Sequence, residues 1–353
     1  MNQPLVLIGN YSTDTNPGSV ASVALGQAGR LGARLSTIPL PSPSFVATAG
    51  NHVLAVLEEE AGALTALPLN EHELGNPAWT VPSGGPIPCH LAVDGDKVGV
   101  AHYGDGTFAL HTLAHDGDAH LSELSIRGEG SGPIHPDQDN SRAHFVLPWA
   151  NGYLVSDLGA DRVYFYEVPD AATLNRVAEV EFPAGTGPRH LAIKDHYLFV
   201  SGELDSRLHL VELADPQDPE SSGDYADLMT YLGSEPSTES PGVRSAPSHL
   251  ALDVAGEFLY FANRFRDTIA VFDVRDLGSD GLPMLVGEFD CGGHIPRHFA
   301  IHESKIYIAN QGSDSIDVFD LLPYTGFLGT KVQSVDWQAP SCLVFTGEEG
   351  TDY

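Results

Sequence analysis

The chain has 353 residues, 42% of them hydrophobic, with 17 Lys and Arg set against 48 Asp and Glu for a formal net charge of −31. That apolar fraction excludes a disordered acidic tail, and the length is ample for a sizeable core. So acidic a composition argues against nucleic acid and anionic membranes as partners, because both are held chiefly by basic side chains.

The opening MNQPLVLIGNYS has no basic segment and no long apolar run, so it does not read as a secretory signal. No apolar stretch approaches the ~20 residues of a membrane-spanning helix, and a cytoplasmic location is expected. Three strands come first: LVLIGNY, SVASVAL and ARLSTIPL. A signature then begins with Pro-Ser-Phe at Phe45 and returns as PCHL at Leu91, RAHF at Phe145, PRHL at Leu191, PSHL at Leu250, PRHF at Phe299 and PSCL at Leu343. The seven anchors are spaced by 46, 54, 46, 59, 49 and 44 residues. After each of the first six come a turn, a strand ending in a polar residue, a short turn and a third strand, as in PRHLAIKDHYLFVSGELDSRLHLVEL. A period of about 50 residues with four strands is the unit of a β-propeller.

The last anchor has only about ten residues after it, too few to complete a blade; the three N-terminal strands supply the remainder and remove the free sheet edge. The expectation is an all-β, seven-bladed β-propeller of four-stranded blades, closed by N-terminal strands pairing with a C-terminal one, as a single domain over 1–353. The Pro-, Ser- and Glu-rich stretch 214–247 reads as a surface loop, with a short helical piece near Asp224–Leu232. Cys89, Cys291 and Cys342 form no CxxC or zinc spacing and read as reduced thiols.

In a propeller the first strand of each blade lines the central channel, so the anchors converge on the axis. By the anchor alignment His90, His144, His190, His249 and His298 occupy one repeated column, as hydrogen-bonding spacers or as catalysts. A metal ring of three of them needs closer convergence than a wide channel gives, and no metal ligand is assigned. Arg142, Arg189 and Arg297 lie in anchors, and Arg264 and Arg266 follow the end of a second strand, so five of the 17 cations fall at motif positions. They pair with the abundant carboxylates, or they clamp a carboxylate, phosphate or oxyanion. Glu203 shares the strand-end column of Tyr103 and Arg264 and is a general acid or base, or a structural partner.

At these residues the sequence resembles the seven-bladed lactonase family, which contains 6-phosphogluconolactonases and 3-carboxy-cis,cis-muconate cyclases. The resemblance is densest in EGSGPIHPDQ…RAHFV, GTGPRHLA, GELDSRL, FLYFANRFRDTIAVFDV and IPRHFAI…YIANQGSDSIDVFD. It implies catalytic residues at His144, Arg189, Glu203 and Arg264, with Arg142, His190, His249, Arg297 and His298 toward the substrate. Two departures stand out: Arg142-Ala143-His144 replaces the family's HAH, and Gly202-Glu203-Leu204 replaces its NEL. The implied activity is opening of an anionic small-molecule lactone without a cofactor, with 6-phosphogluconolactone foremost. His144 would be the base for water, and Glu203 would orient it or protonate the leaving alkoxide; these two roles are interchangeable at this level. Arg189 and Arg264 would hold the oxyanion or the substrate's anionic group. The alternatives are a carboxymuconate-type cycloisomerase, a lactonase for another lactone, or a non-catalytic propeller that binds a peptide or metabolite.

Overall fold

The computed structural model describes residues 4–114, 117–216, 227–277 and 281–346. Seven antiparallel sheets follow one another around a central axis. Six are continuous in sequence, with inner strands Pro43–Ala49, Pro88–Asp94, Ala143–Trp149, Pro188–Lys194, Pro247–Leu252 and Pro296–His302. These sheets are blades one to six. In blade seven the inner strand Pro340–Phe345 comes from the C-terminal end, and Leu5–Asn10, Ser19–Leu25 and Leu31–Pro39 from the N-terminal end. The closing pair is in register at Val6 with Phe345, Leu7 with Val344 and Ile8 with Leu343.

Burial falls from the axis outward. Second strands such as Leu5–Asn10, His52–Leu57, Gly152–Asp157 and Phe258–Asn263 are buried throughout, because each is covered on both faces by neighbouring blades. This is why they read as unbroken apolar runs. The outermost strands, such as Trp79–Pro82 and His120–Arg127, are the wet edges. The core is therefore a ring of inter-blade contacts. One cluster joins Phe145, Leu154 and Phe165 of blade three to Leu191, Leu198 and Val211 of blade four. Another joins Val6, Ile8, Leu343 and Phe345 of blade seven to Tyr307, Ile316 and Val318 of blade six, and it packs the closing seam.

Two local expectations change. The stretch 214–247 is not all loop: Met229–Pro236 is the fourth strand of blade four, paired with Arg207–Leu213. The described part of the expected helical piece falls partly in that strand, because its alternating Met229, Tyr231 and Gly233 face a sheet neighbour; Asp224–Ala226 lie outside the described residues.

A device repeated at the start of every inner strand governs the channel. The residue before the strand is left-handed in six blades: Ser42, Ile87, Gly187, Ala246, Ile295 and Ala339, with φ between 38° and 62°. The ladder then slips register one step into each inner strand. Such a bulge re-aims the side chain it carries. The carbonyl before the strand accepts the backbone N–H of the residue that directly follows the same blade's second strand, at 2.9–3.4 Å in all seven. Those seven strand-end residues are Tyr11, Glu58, Tyr103, Leu158, Glu203, Arg264 and Gln311. Each blade thus delivers one bulge side chain and one strand-end side chain to the same end of the channel.

Leu343 is fully buried in the seam cluster. Leu343→Ala is expected to lower the free energy of unfolding by about 2–5 kcal/mol, as measured by urea titration.

Candidate functional site

The bulge places Ser44, Cys89, His144, Arg189, Ser248, Arg297 and Ser341 in one layer at the channel mouth. This corrects the expected histidine column. In blade three Ala143 pairs with Asp157 as Pro188 pairs with Gly202 in blade four, so His144 is equivalent to Arg189 and Phe145 to His190. His90, His190, His249 and His298 instead share the layer beneath with Phe45, Phe145 and Cys342. There the rings run in sequence around the axis: Phe45 to His90 at 4.3 Å, His90 to Phe145 at 3.7 Å, Phe145 to His190 at 4.5 Å, His190 to His249 at 5.1 Å and His249 to His298 at 4.0 Å between centroids.

The structure brings together the four residues singled out for catalysis. Arg189 is nearly fully buried, and its Nη1 donates to Oε2 of Glu203 while its Nε donates to the Ser248 carbonyl at 2.8 Å. Its own carbonyl accepts the Ser156 hydroxyl at 2.5 Å. The loop before it is tied down by Asp161, whose carboxylate accepts N–H of Gly185 at 2.7 Å and Gly187 at 2.8 Å. Arg264 reaches the other oxygen of Glu203, Nη2 to Oε1 at 2.7 Å, and its Nε donates to the Ala246 carbonyl at 3.0 Å. One carboxylate is therefore clamped between two guanidinium groups. Burial alone would raise the Glu203 pKa, but Arg264 and Arg189 override it and hold the carboxyl well below the usual range. Glu203 is no proton donor at neutral pH, and of its two expected roles only the orienting one fits.

His144 shares the mouth with this clamp. Burial first, and then the charge of Arg189, push its pKa well below that of free imidazole, so the ring is neutral at pH 7. Its Nδ1 lies 3.9 Å from the Cys89 sulfur, and the Tyr103 ring meets it edge-on at 5.8 Å. Burial pushes the Cys89 thiol up, which leaves it protonated and a poor nucleophile.

Arg142 sits at the rim. Its guanidinium covers the Tyr103 ring at 4.7 Å and donates to the carbonyls of Asp137 at 2.8 Å and Tyr103 at 3.2 Å, so it braces the wall. Arg266 faces Glu288 at 3.7 Å, on the outer strand. Arg297 occupies the mouth layer on blade six, next to the blade that carries Arg264. Its Nη2 donates to the hydroxyl of Tyr11, its guanidinium carbon lies 4.8 Å from the centre of that ring, and Tyr11 in turn donates to Oε2 of Glu58 at 2.8 Å. Sequence reasoning missed Tyr11 and Glu58. The signal was present: both directly follow a second strand, in the column that had already marked Tyr103, Glu203 and Arg264.

Beneath the mouth, Nδ1 of His90 accepts the Val146 N–H at 3.2 Å and Nδ1 of His298 accepts the Leu343 N–H at 3.3 Å, which puts the ring protons on Nε2. His190 and His249 share a hydrogen bond between their Nδ1 atoms at 2.9 Å. Among the described residues no three His, Cys, Asp or Glu are grouped to hold a metal ion.

Burial lowers the pKa of all five channel imidazoles, His90, His144, His190, His249 and His298, the last to about 3. The unfolded chain therefore binds more protons below its ordinary histidine pKa, and stability is lost as pH falls from about 6.5 toward the folded values. Each imidazole contributes up to about 1.4 kcal/mol per pH unit in that window. Urea unfolding between pH 7.5 and 5 should show this steep loss. His249→Phe, which places in the ring the residue already present at Phe45 and Phe145, should make the slope shallower by about one proton.

Comparison with known proteins adds a wider frame. A family model described as lactonase, 7-bladed beta-propeller, matches residues 5–345. A 6-phosphogluconolactonase of Bacillus subtilis is 26% identical over 318 residues, covering 87% of this chain and 88% of its own. A crystal structure of a Lactobacillus plantarum protein superposes with a TM-score of 0.84 at 27% identity, over 98% of this chain and 99% of the other. The periplasmic gluconolactonase of Pseudomonas aeruginosa shares the fold, with a TM-score of 0.84 at 24% identity over 97% and 98% of the two chains.

Proposed function

The chain belongs to the seven-bladed β-propeller lactonase family, and on that premise we propose that it hydrolyses an anionic sugar lactone, with 6-phosphogluconolactone the foremost substrate. The relative from Bacillus subtilis, which bears that activity as its name, supports the choice of substrate. The observation that carries the reading is the Glu203 carboxylate held between Arg189 and Arg264 beside a neutral His144. Three buried thiols, Cys89, Cys291 and Cys342, none in a disulfide, fit a reducing compartment, and we place the reaction in the cytoplasm.

Ring opening needs an activated water, a stabiliser for the tetrahedral oxyanion and a proton for the departing ring oxygen. Neutral His144 takes a proton from water as the water oxygen bonds to the lactone carbonyl carbon. The carbonyl oxygen becomes an oxyanion facing the Arg189 and Arg264 guanidinium groups, whose forks are preorganised by Glu203 and by the Ser248 and Ala246 carbonyls. The bond from that carbon to the ring oxygen then breaks. The imidazolium of His144 returns its proton to the alkoxide, and the carboxylic acid product ionises. Glu203 favours the transient imidazolium by its charge, the one nearby group that raises the His144 pKa from a distance.

The test is ring opening of freshly generated 6-phosphogluconolactone, followed by proton release against the spontaneous rate. The wild-type protein should accelerate it; Glu203→Gln and Arg264→Ala should each lower the rate at least about tenfold, and His144→Ala about a hundredfold or more. Absence of acceleration in the wild type, with a carboxymuconolactone inert as well, would defeat the proposal. Because the neutral imidazole is the working form, the acid limb of kcat/KM should lie well below the range of a free imidazole.

A further inference from the structure

The three guanidinium groups at the mouth are not equivalent. Arg189 and Arg264 divide one carboxylate between them, each taking one oxygen of Glu203. Arg297, on blade six of the same mouth, has no carboxylate within ion-pair distance among the described residues. Its polar partner is the neutral hydroxyl of Tyr11, and Glu58 is reached only through that hydroxyl. Burial and Glu58 both keep the Tyr11 phenol protonated, so Arg297 keeps a full positive charge without direct neutralisation. Its Nη2 is engaged by Tyr11, and its stacking against that ring fixes the plane of the fork.

From this we infer that the mouth divides its labour: Arg189 and Arg264 face the reacting carbonyl, while Arg297 binds the anionic substituent that the lactone carries, a phosphate monoester or a carboxylate. Tyr11 and Glu58 are positioning residues for it. The chemistry follows from the partners. A guanidinium held by a neutral phenol offers its charge and at least two further N–H donors in a fixed fork, the geometry that matches phosphate and carboxylate oxygens. The division also suits the reaction. An anion seated on Arg189 or Arg264 would compete with the developing oxyanion, and one seated on Arg297 leaves both of their forks to it. The hydrogen bond between Arg297 and Tyr11 joins blades six and seven across 286 residues of sequence, so the subsite is completed only when the ring closes.

This inference rests on the lactonase reading, and the experiment separates the two. Steady-state kcat and KM are measured with 6-phosphogluconolactone, with neutral glucono-1,5-lactone and with a carboxymuconolactone, for the wild type, Arg297→Gln, Arg297→Lys and Tyr11→Phe; unfolding midpoints are recorded for each. The wild type should prefer an anionic lactone, and the identity of that lactone distinguishes phosphate from carboxylate. Arg297→Gln should lose about tenfold to a hundredfold more in kcat/KM toward the anionic lactone than toward the neutral one, with the loss in KM. Arg297→Lys, which keeps the charge without the fork, and Tyr11→Phe should show smaller losses of the same selective kind. Equal use of neutral and anionic lactones by the wild type, or an equal loss on both by folded Arg297 variants, would overturn the assignment. If the wild type opened none of the three, the lactonase reading would fall by itself. Calorimetric titration with inorganic phosphate would then still read the subsite: binding weakened by Arg297→Gln supports it, and no binding to the wild type overturns it.

Discussion

Everything functional in this molecule depends on one backbone constraint, the β-bulge that opens each inner strand, preceded in six blades by a left-handed residue. A left-handed conformation is unfavourable for any residue with a Cβ, and most of all for the β-branched Ile87 and Ile295. It persists because the carbonyl of that residue is fixed by the N–H that follows the adjacent strand, in all six blades that have it. The bulge that follows turns one side chain out of the pleat and toward the mouth. Without it His144, Arg189 and Arg297 would alternate with their neighbours across the sheet and be buried between blades. Proline begins six of the seven inner strands, a position where its missing N–H removes no ladder bond.

That device lets one end of the channel reverse the character of the surface. The whole chain carries a formal charge of −31, yet three of its 13 arginines meet in the mouth with two glutamates, one of them screened behind a phenol. In a site shielded from water, local partners govern the electrostatics, and the remote surface carboxylates are damped by the solvent between them. The layer below has the opposite character, neutral and aromatic. Its histidines cannot charge without losing their hydration, so it forms an apolar floor that keeps the dielectric low where the guanidinium groups act.

How much of this was legible in the letters depends on whether the information was periodic. The repeat revealed the blades, and the shortfall after Leu343 revealed the closing seam, because sheet edges must be paired and the arithmetic of strands left one gap. Register was not legible. Phe145 looks like Leu191 when anchors are aligned by their apolar residue, but it is His190 that it replaces. The true landmark is a backbone conformation, shared by Ser, Ile, Gly and Ala in six blades and followed each time by Pro, which the blade of His144 lacks. Likewise Glu203 and Arg264 stood out by their strand-end column and then by the resemblance, whereas Tyr11 and Glu58, in the same column, acquire meaning only through Arg297, which is 286 residues from Tyr11.

The same architecture separates what must stay constant from what can vary. Each blade contributes to the mouth through two positions whose backbone is fixed by the bulge and its carbonyl clamp, while the side chains there carry no duty in the ladder. Ser44, Ser248 and Ser341 fill bulge positions equivalent to His144 and Arg189, and Leu158 and Gln311 fill strand-end positions equivalent to Glu203 and Arg264. A change at such a position alters the chemistry at the axis with little effect on the inter-blade core, because the apolar residues that hold the ring begin one layer further in. Catalysis grouped on blades three to five and an anion contact on blades six, seven and one are then two independent settings of a single seven-fold device. The one blade that carries neither, blade two, presents Cys89 and Tyr103 at these positions.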